Sequence, residues 1–357
     1  MRKTVLVLGL LAGSVGAAYA QSSVTLYGIV DAAARYSTNS GSAANKSASL
    51  STLAPGGMSQ SRLGINITED MGGGLKAIAN MEHRLLSDTG GVAAAEFWRQ
   101  SWVGIQSSDF GRITLGRQYN ILFDAVTSTY ASFKYSPYIE AFKPEIGLSM
   151  GARQDNMVKY LVESGGLRGE VQVSAGEGNS QSKSMGGLLR YAAGEFAFAG
   201  AYLQVTDTGG KKVKGATFGG SYASGPWSLN ASWAQNKFDA GSLLGGAYTS
   251  GMLGAGVLNA AANDVKKRDM VMMGVGYQVT AQLNLGGQYW HSSQTHFSPL
   301  LTGTSKADFF AFVADYAFSK RTDVYAELDH TKFKGAVMFG NTADKRDGMM
   351  VGVRHRF

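Results

Sequence analysis

From near its beginning to its last residue, the chain switches between polar and apolar side chains at every step over segments of about ten residues. In Arg168-Gly169-Glu170-Val171-Gln172-Val173-Ser174-Ala175, the side chains of Arg168, Glu170, Gln172 and Ser174 share one face, and those of Val171, Val173 and Ala175 share the other. Only an extended strand has a period of two, so each segment reads as a strand with one wet face and one apolar face. The pattern recurs from Trp227 to Trp233, through Val271, Met273, Val275, Tyr277 and Val279, and through Met349, Val351, Val353, His355 and Phe357. No comparably long stretch carries a helical period.

Sixteen such segments are predicted, near 24–35, 59–68, 74–85, 96–106, 112–118, 153–163, 167–175, 184–192, 195–205, 214–223, 227–236, 268–279, 282–291, 307–318, 322–332 and 348–357. Most have about the ten residues that a tilted strand needs to cross a bilayer. Short turns rich in Gly, Asp, Ser and Pro (69–73, 108–111, 165–166, 193–194, 224–226, 319–321) alternate with longer polar connections near 36–58, 86–95, 119–152, 176–183, 206–213, 237–267, 292–306 and 333–347. That asymmetry, with an even strand number, predicts an all-β antiparallel transmembrane barrel with short turns at one rim and long loops at the other. A soluble sandwich would bury its aromatics between two sheets; here Phe196, Phe198, Tyr202, Phe310, Phe312, Tyr316 and Phe318 share the apolar face, as lipid contact requires.

The first residues fit export. Met1-Arg2-Lys3, the apolar stretch Val5 to Ala12 and Ala18-Tyr19-Ala20 before Gln21 predict a cleaved signal peptide over 1–20, leaving 21–357 as one barrel domain. No later run of eighteen apolar residues could form a spanning helix. Cysteine is absent, which excludes disulfides and thiolate chemistry. The formal charge of +7 falls to +5 when Arg2 and Lys3 leave with the signal.

Several short motifs, in order, resemble the general trimeric porins of Gram-negative outer membranes over essentially the whole mature chain. They are Ser23-Val24-Thr25-Leu26-Tyr27-Gly28 with Asp31, Ser61-Arg62-Leu63-Gly64 followed by Glu69-Asp70, and Gly74-Leu75-Lys76-Ala77. Trp98-Arg99-Gln100 with Val103-Gly104, Phe110-Gly111 leading to Thr114-Leu115-Gly116-Arg117-Gln118, Val158-Lys159-Tyr160 and the terminal Phe357 continue the series. The resemblance implies a sixteen-stranded homotrimeric barrel whose third loop, 119–152, folds into the lumen, forming a water-filled channel for passive diffusion of small hydrophilic solutes and ions. It also implies that Phe357 is part of the signal read by the outer-membrane assembly machinery.

By the same resemblance the pore constriction comprises Arg62, Arg99, Arg153, Lys159 and Arg117 on the wall, facing Asp124, Glu140 and Glu145 on the loop, where Lys134 and Lys143 dilute the acidic character. A basic wall of this kind raises the local concentration of anions, so anion preference is expected. Phase tests the assignments. Arg62 lies opposite Leu63, Ile65 and Ile67, and Arg153 shares phase with Asp155, Lys159 and Glu163; both should face water. Arg99 shares parity with Val103 and Ile105 and needs a bulge or a position at the membrane edge, and Arg117 has the same difficulty beside Ile113 and Leu115.

Other readings stay open. A solute-specific porin would differ in showing saturable block. A barrel hydrolase needs a base beside a nucleophile, yet His83, His291, His296, His330 and His355 accompany no serine motif; His291 and His296, which flank a loop entry and could share a metal, have no matching carboxylate there. A closed adhesive barrel would act through the Ser, Gly, Ala and Asn-rich loops 36–58 and 237–267. Lys211, Lys212 and Lys214, with Lys266, Lys267 and Arg268, form either a solvated rim or a contact for lipopolysaccharide in the outer-membrane lipid. No cofactor, metal or nucleic-acid partner is expected, since the chain lacks a basic helix or any motif for these. Val24, Leu26, Gly28, Ala32 and Ala34 are candidate members of a subunit contact.

Overall fold

A computed structural model describes residues 22–40, 47–92, 97–131, 149–177, 182–242, 244, 264–299, 303–335 and 343–357. The strands in chain order are β1 (Ser23–Ser37), β2 (Leu50–Ala54), β3 (Arg62–Gly72), β4 (Leu75–Arg84), β5 (Trp98–Ser107) and β6 (Gly111–Tyr119), then β7 (Arg153–Ser164), β8 (Leu167–Ser174), β9 (Lys183–Ala193), β10 (Phe196–Thr206), β11 (Lys212–Ser224) and β12 (Trp227–Phe238). The remainder are β13 (Val265–Gln278), β14 (Leu283–His296), β15 (Ser305–Ala317), β16 (Thr322–Lys334) and β17 (Lys345–Arg356). They pair antiparallel in one sheet that closes on itself through β1 and β17.

These seventeen strands make sixteen staves. β1 pairs on one side with β3 over Ser23–Ile29 and with β2 over Ala33–Ser37, so β2 and β3 form a single interrupted stave. β2 falls inside the segment 36–58 expected to be a loop, and strand β3 begins at Arg62 rather than 59. The reason is the inward excursion of 55–61 between the two pieces, which breaks the alternation.

At the seam, the Gly28 and Phe357 backbones exchange hydrogen bonds, N to O at 3.0 Å and 3.1 Å. The Phe357 ring lies over Gly28 where any Cβ would collide with it, so the glycine makes room for the terminal aromatic. Closure removes the two free edges, which lipid could not hydrogen-bond.

The outward face is apolar along the staves, and Val24, Leu26, Val171, Leu189, Phe218 and Val351 are all exposed. Aromatics gather at the rim of the short turns. There Phe196 and Tyr222 have ring centroids 4.8 Å apart, Trp227 and Tyr277 4.5 Å, and Tyr316 and Phe318 5.3 Å, as an interfacial girdle requires.

At the opposite rim several strands run further than alternation predicts. β14 continues to His296 because above the apolar band both faces turn polar (Ser292, Ser293, Gln294, Thr295), so the pattern fades while the ladder persists. The wall is uneven in height. β6 and β8 have nine and eight residues, whereas β13 and β14 have fourteen each.

The interior is also less wet than strict alternation implies. Inward Met270, Met272, Trp290 and Phe309 are buried in one cluster with Leu122, Val126, Tyr130 and Met150 from the third loop. A segment packed inside a barrel needs apolar wall to pack on, and these inward residues supply it.

Candidate functional site

The third loop enters the lumen as a short helix, α1 (Ile121–Ala125), continued by a π-helical turn (Val126–Tyr130). Asn120 starts the helix: its Oδ1 accepts from the Phe123 N–H at 3.0 Å, and its Nδ2 donates to the Ser149 carbonyl at 2.7 Å, tying the two ends of the loop together. The Ile121 N–H donates to Gln172 Oε1 on β8 at 2.8 Å, and the Tyr130 hydroxyl is 2.6 Å from that of Thr217 on β11. Burial pushes the Tyr130 phenol up, so it stays a neutral hydroxyl. The loop thus lies against the inner wall of β8–β11.

Asp124 meets Lys159 rather than open lumen. Lys159 Nζ is 2.6 Å from Asp124 Oδ2, donates to the Tyr119 carbonyl at 3.0 Å and lies 3.9 Å from Glu170, which Arg168 also pairs. With Asp124 at 9% and Lys159 at 7% exposure, the pair fastens the loop to the wall. Glu140 and Glu145, with Lys134 and Lys143, lie outside the described residues.

Beside the loop, along β3–β7, three arginines converge on one carboxylate and one phenol. Arg99 Nε is 3.1 Å from Glu82 Oε1, and Arg62 Nη1 is 3.9 Å from Glu82 Oε2. Arg99 Nη2 donates to the Tyr119 hydroxyl at 2.7 Å, and the Arg153 guanidinium carbon lies 5.0 Å from the Tyr119 ring centre. Glu82 also accepts from Tyr27 Oη at 3.0 Å and Gln100 Nε2 at 3.3 Å, and Asn80 donates to Tyr27 Oη at 2.9 Å.

Backbone irregularities position two of the predicted arginines. Glu82 pairs with Gln100 but His83 pairs with Trp98, so Arg99 is the extra residue of a bulge; it turns inward and is 3% exposed despite its parity with Val103 and Ile105. Between β6 and β7, Gly116 pairs with Met157 and Gln118 with Gln154, leaving Arg117 against Asp155 and Asn156. Gly116 (φ +127°) and Asn156 (φ +53°) take left-handed backbone there. This break interrupts the phase that would join Arg153 to Lys159. Arg117 forms an ion pair with Asp155 and is not part of the group around Glu82.

Sequence reasoning does not single out Glu82, Tyr119 or Tyr27 as site residues. Glu82 is within its reach, since Asn80, Glu82 and Arg84 alternate with Ala79, Met81 and His83; Tyr119 falls where strand gives way to loop and carries no such signal.

One further constellation has the order of a charge relay. His296 Nε2 is 3.2 Å from Ser305 Oγ, and His296 Nδ1 is 3.5 Å from Asp264 Oδ2. Ser305 and the His296 side chain are each only 3% exposed, and the group joins the outer ends of β13, β14 and β15.

A family model described as Gram-negative porin matches residues 4–336. Over the whole of both chains, the sequence is 31% identical to outer membrane porin protein 32 of Delftia acidovorans and 29% identical to an outer membrane porin protein of Bordetella pertussis. Among solved structures, the anion-selective porin from Comamonas acidovorans superposes with a TM-score of 0.72 at 26% identity, covering 94% of this chain and all of the other. The trimer form of OmpT from Vibrio cholerae shares the fold at 15% identity, with a TM-score of 0.68 over 94% of this chain and 99% of that one. The closed sixteen-stave barrel, its lipid-facing exterior and these relatives together place the protein in the outer membrane, and the chain belongs to the Gram-negative porin family.

Proposed function

We propose that the protein is a homotrimeric diffusion channel for small hydrophilic solutes and ions that prefers anions, and that it has no catalytic role. The observation that carries the ion preference is the group on the inner wall: Arg62, Arg99 and Arg153 around the single carboxylate of Glu82, three positive charges against one negative. Guanidinium stays charged at every accessible pH, and the excess draws counter-charge into the narrow zone. The neutralised Asp124–Lys159 pair leaves that excess largely uncompensated by the described part of the loop. The similarity to an anion-selective porin supports the same reading, and the likeness to a barrel solved as a trimer supports the assembly.

Outward lysines on β11–β13 and β15–β17 fit contact with lipopolysaccharide. Lys214, Lys237 and Lys267 are direct cross-strand neighbours, as are Lys306 with Lys334 and Lys332 with Lys345. Like charges placed opposite one another repel, and lipid phosphates lying between them would offset that cost. Phe357, at the seam, is the residue we assign to recognition by the assembly machinery.

Single-channel recording of the purified protein in a salt gradient tests the central claim. Stepwise openings in threes with a reversal potential on the anion side are expected. Cation preference would overturn the electrostatic assignment, and an absence of conductance would overturn the channel.

A further inference from the structure

The inner wall carries a second inserted segment, on the side of the barrel away from the third loop. Along β1, Ile29 pairs with Arg62 and Ala33 with Ala54, so three residues of β1 (30–32) face seven residues of the neighbouring stave (55–61). An ordinary bulge adds one residue. Here the surplus folds into the lumen, and it does not hang free: Met58 and Ser61 are 0% exposed, Ser59 3% and Gln60 4%.

One carboxylate organises it. Asp31, itself 0% exposed, accepts from the Gly57 N–H at 3.0 Å on Oδ1 and from the Met58 and Ser59 N–H groups at 3.1 Å and 2.6 Å on Oδ2. The Tyr325 hydroxyl on β16 donates to Asp31 Oδ1 at 2.5 Å, and its oxygen accepts from Met58 N at 3.2 Å. Arg354 on β17 donates to Ser59 Oγ at 2.8 Å and is held by Asp323 at 3.0 Å. Ser61 Oγ and the Asp31 backbone exchange bonds of 3.0 Å in both directions. The segment therefore crosses β1 and β17 and reaches β16, and Gly57 is the residue that allows the approach, since a Cβ there would strike the Tyr325 hydroxyl and the Ala33 methyl.

We propose that 55–61 is a second constriction element, held by Asp31, which closes the β16–β1 arc of the lumen and with the third loop sets the width of the water path. Asp31 is a positioning residue in this scheme. It touches the segment and not the solute. Its three backbone bonds gather successive N–H groups that would otherwise point unpaired into the interior, which is why a carboxylate and not an amide is needed there.

The absence of cysteine makes the test specific. With Met58→Cys as the sole thiol, a small charged methanethiosulfonate reagent added to folded trimers should react slowly. Adding Asp31→Asn should speed the reaction about tenfold or more, because losing charge-assisted bonds raises the population of the released segment. Single-channel conductance in symmetric salt and liposome entry of larger sugars should both increase. Tyr325→Phe with Met58→Cys is the milder second variant, expected to shift both readouts in the same direction if Asp31→Asn fails to fold. Unchanged labelling and unchanged conductance in a folded variant would overturn the proposal, as would rapid labelling of Met58→Cys alone. None of these readouts depends on ion preference, so the outcome is separate from that of the salt-gradient experiment.

Discussion

Replacing Glu82 by Gln and, separately, Arg153 by Gln should move ion preference in opposite directions. The group around Glu82 holds three guanidinium groups and one carboxylate; the first change leaves three positive charges and the second leaves two against one. A unit charge about 6 Å from a passing ion in a water-filled lumen contributes about 0.7 kcal/mol, taking the dielectric constant as about 80. That is about threefold in the local concentration of an anion, and about threefold the other way for a cation. The permeability ratio should therefore change by roughly tenfold per charge, upward for Glu82→Gln and downward for Arg153→Gln. Arg153 is the better arginine to remove because it is less buried than Arg99, whose ion pair with Glu82 also holds a bulge. Reversal potentials in planar bilayers give the ratio directly. The measurement should be made near 0.1 M salt, where screening extends over about 10 Å, and repeated at 1 M, where it shortens to about 3 Å and the difference should shrink. Shifts of the same sign in both variants, or none in either, would refute the electrostatic reasoning.

Asp124→Asn removes the nearer of the two carboxylates beside buried Lys159, and with Glu170 remaining the local cost should be about 1–3 kcal/mol; greater open-channel noise with an unaltered barrel by circular dichroism is the expected result. Phe357→Ala exposes Gly28 at the seam, and the yield of heat-resistant trimer in membranes should fall. Val171→Arg places a charge on the lipid face of β8, and denaturant unfolding from lipid vesicles should show a loss of about 2–4 kcal/mol. Lys332→Glu combined with Lys334→Glu should lower the lipopolysaccharide phosphate that copurifies with the trimer, leaving conductance unchanged.

The barrel was legible because lipid imposes a strict rule: outside the cylinder every second residue must be apolar, and Val171, Val173, Val351 and Val353 obey it without exception. Inside there is no equal rule. Trp290 and Phe309 point inward next to outward Tyr289 and Phe310, so consecutive apolar residues conceal which one packs under a loop. Bulges are similarly hidden. Parity alone points Arg99 outward, and the register shift of β4 against β5 turns it inward. β2 is hidden in the sequence because five residues, Leu50-Ser51-Thr52-Leu53-Ala54, within a serine-rich connection resemble the loop around them. Asp31 was visible as part of a motif, but its purpose depends on 55–61 returning to it across the chain, which no local pattern encodes.

The uneven wall bears on how a single subunit meets its surroundings. Strands tilted by about 40° advance roughly 2.6 Å per residue along the membrane normal. On that scale β13 and β14 stand about 36 Å tall, while β6 and β8 reach only about 20–24 Å, just short of the roughly 25 Å apolar band of an outer-membrane barrel. A lone cylinder would have to pinch the bilayer along its low flank, an elastic penalty that grows with every ångström of mismatch. Turning that flank toward other protein relieves the pinch. The tall flank is then left against full-thickness lipid.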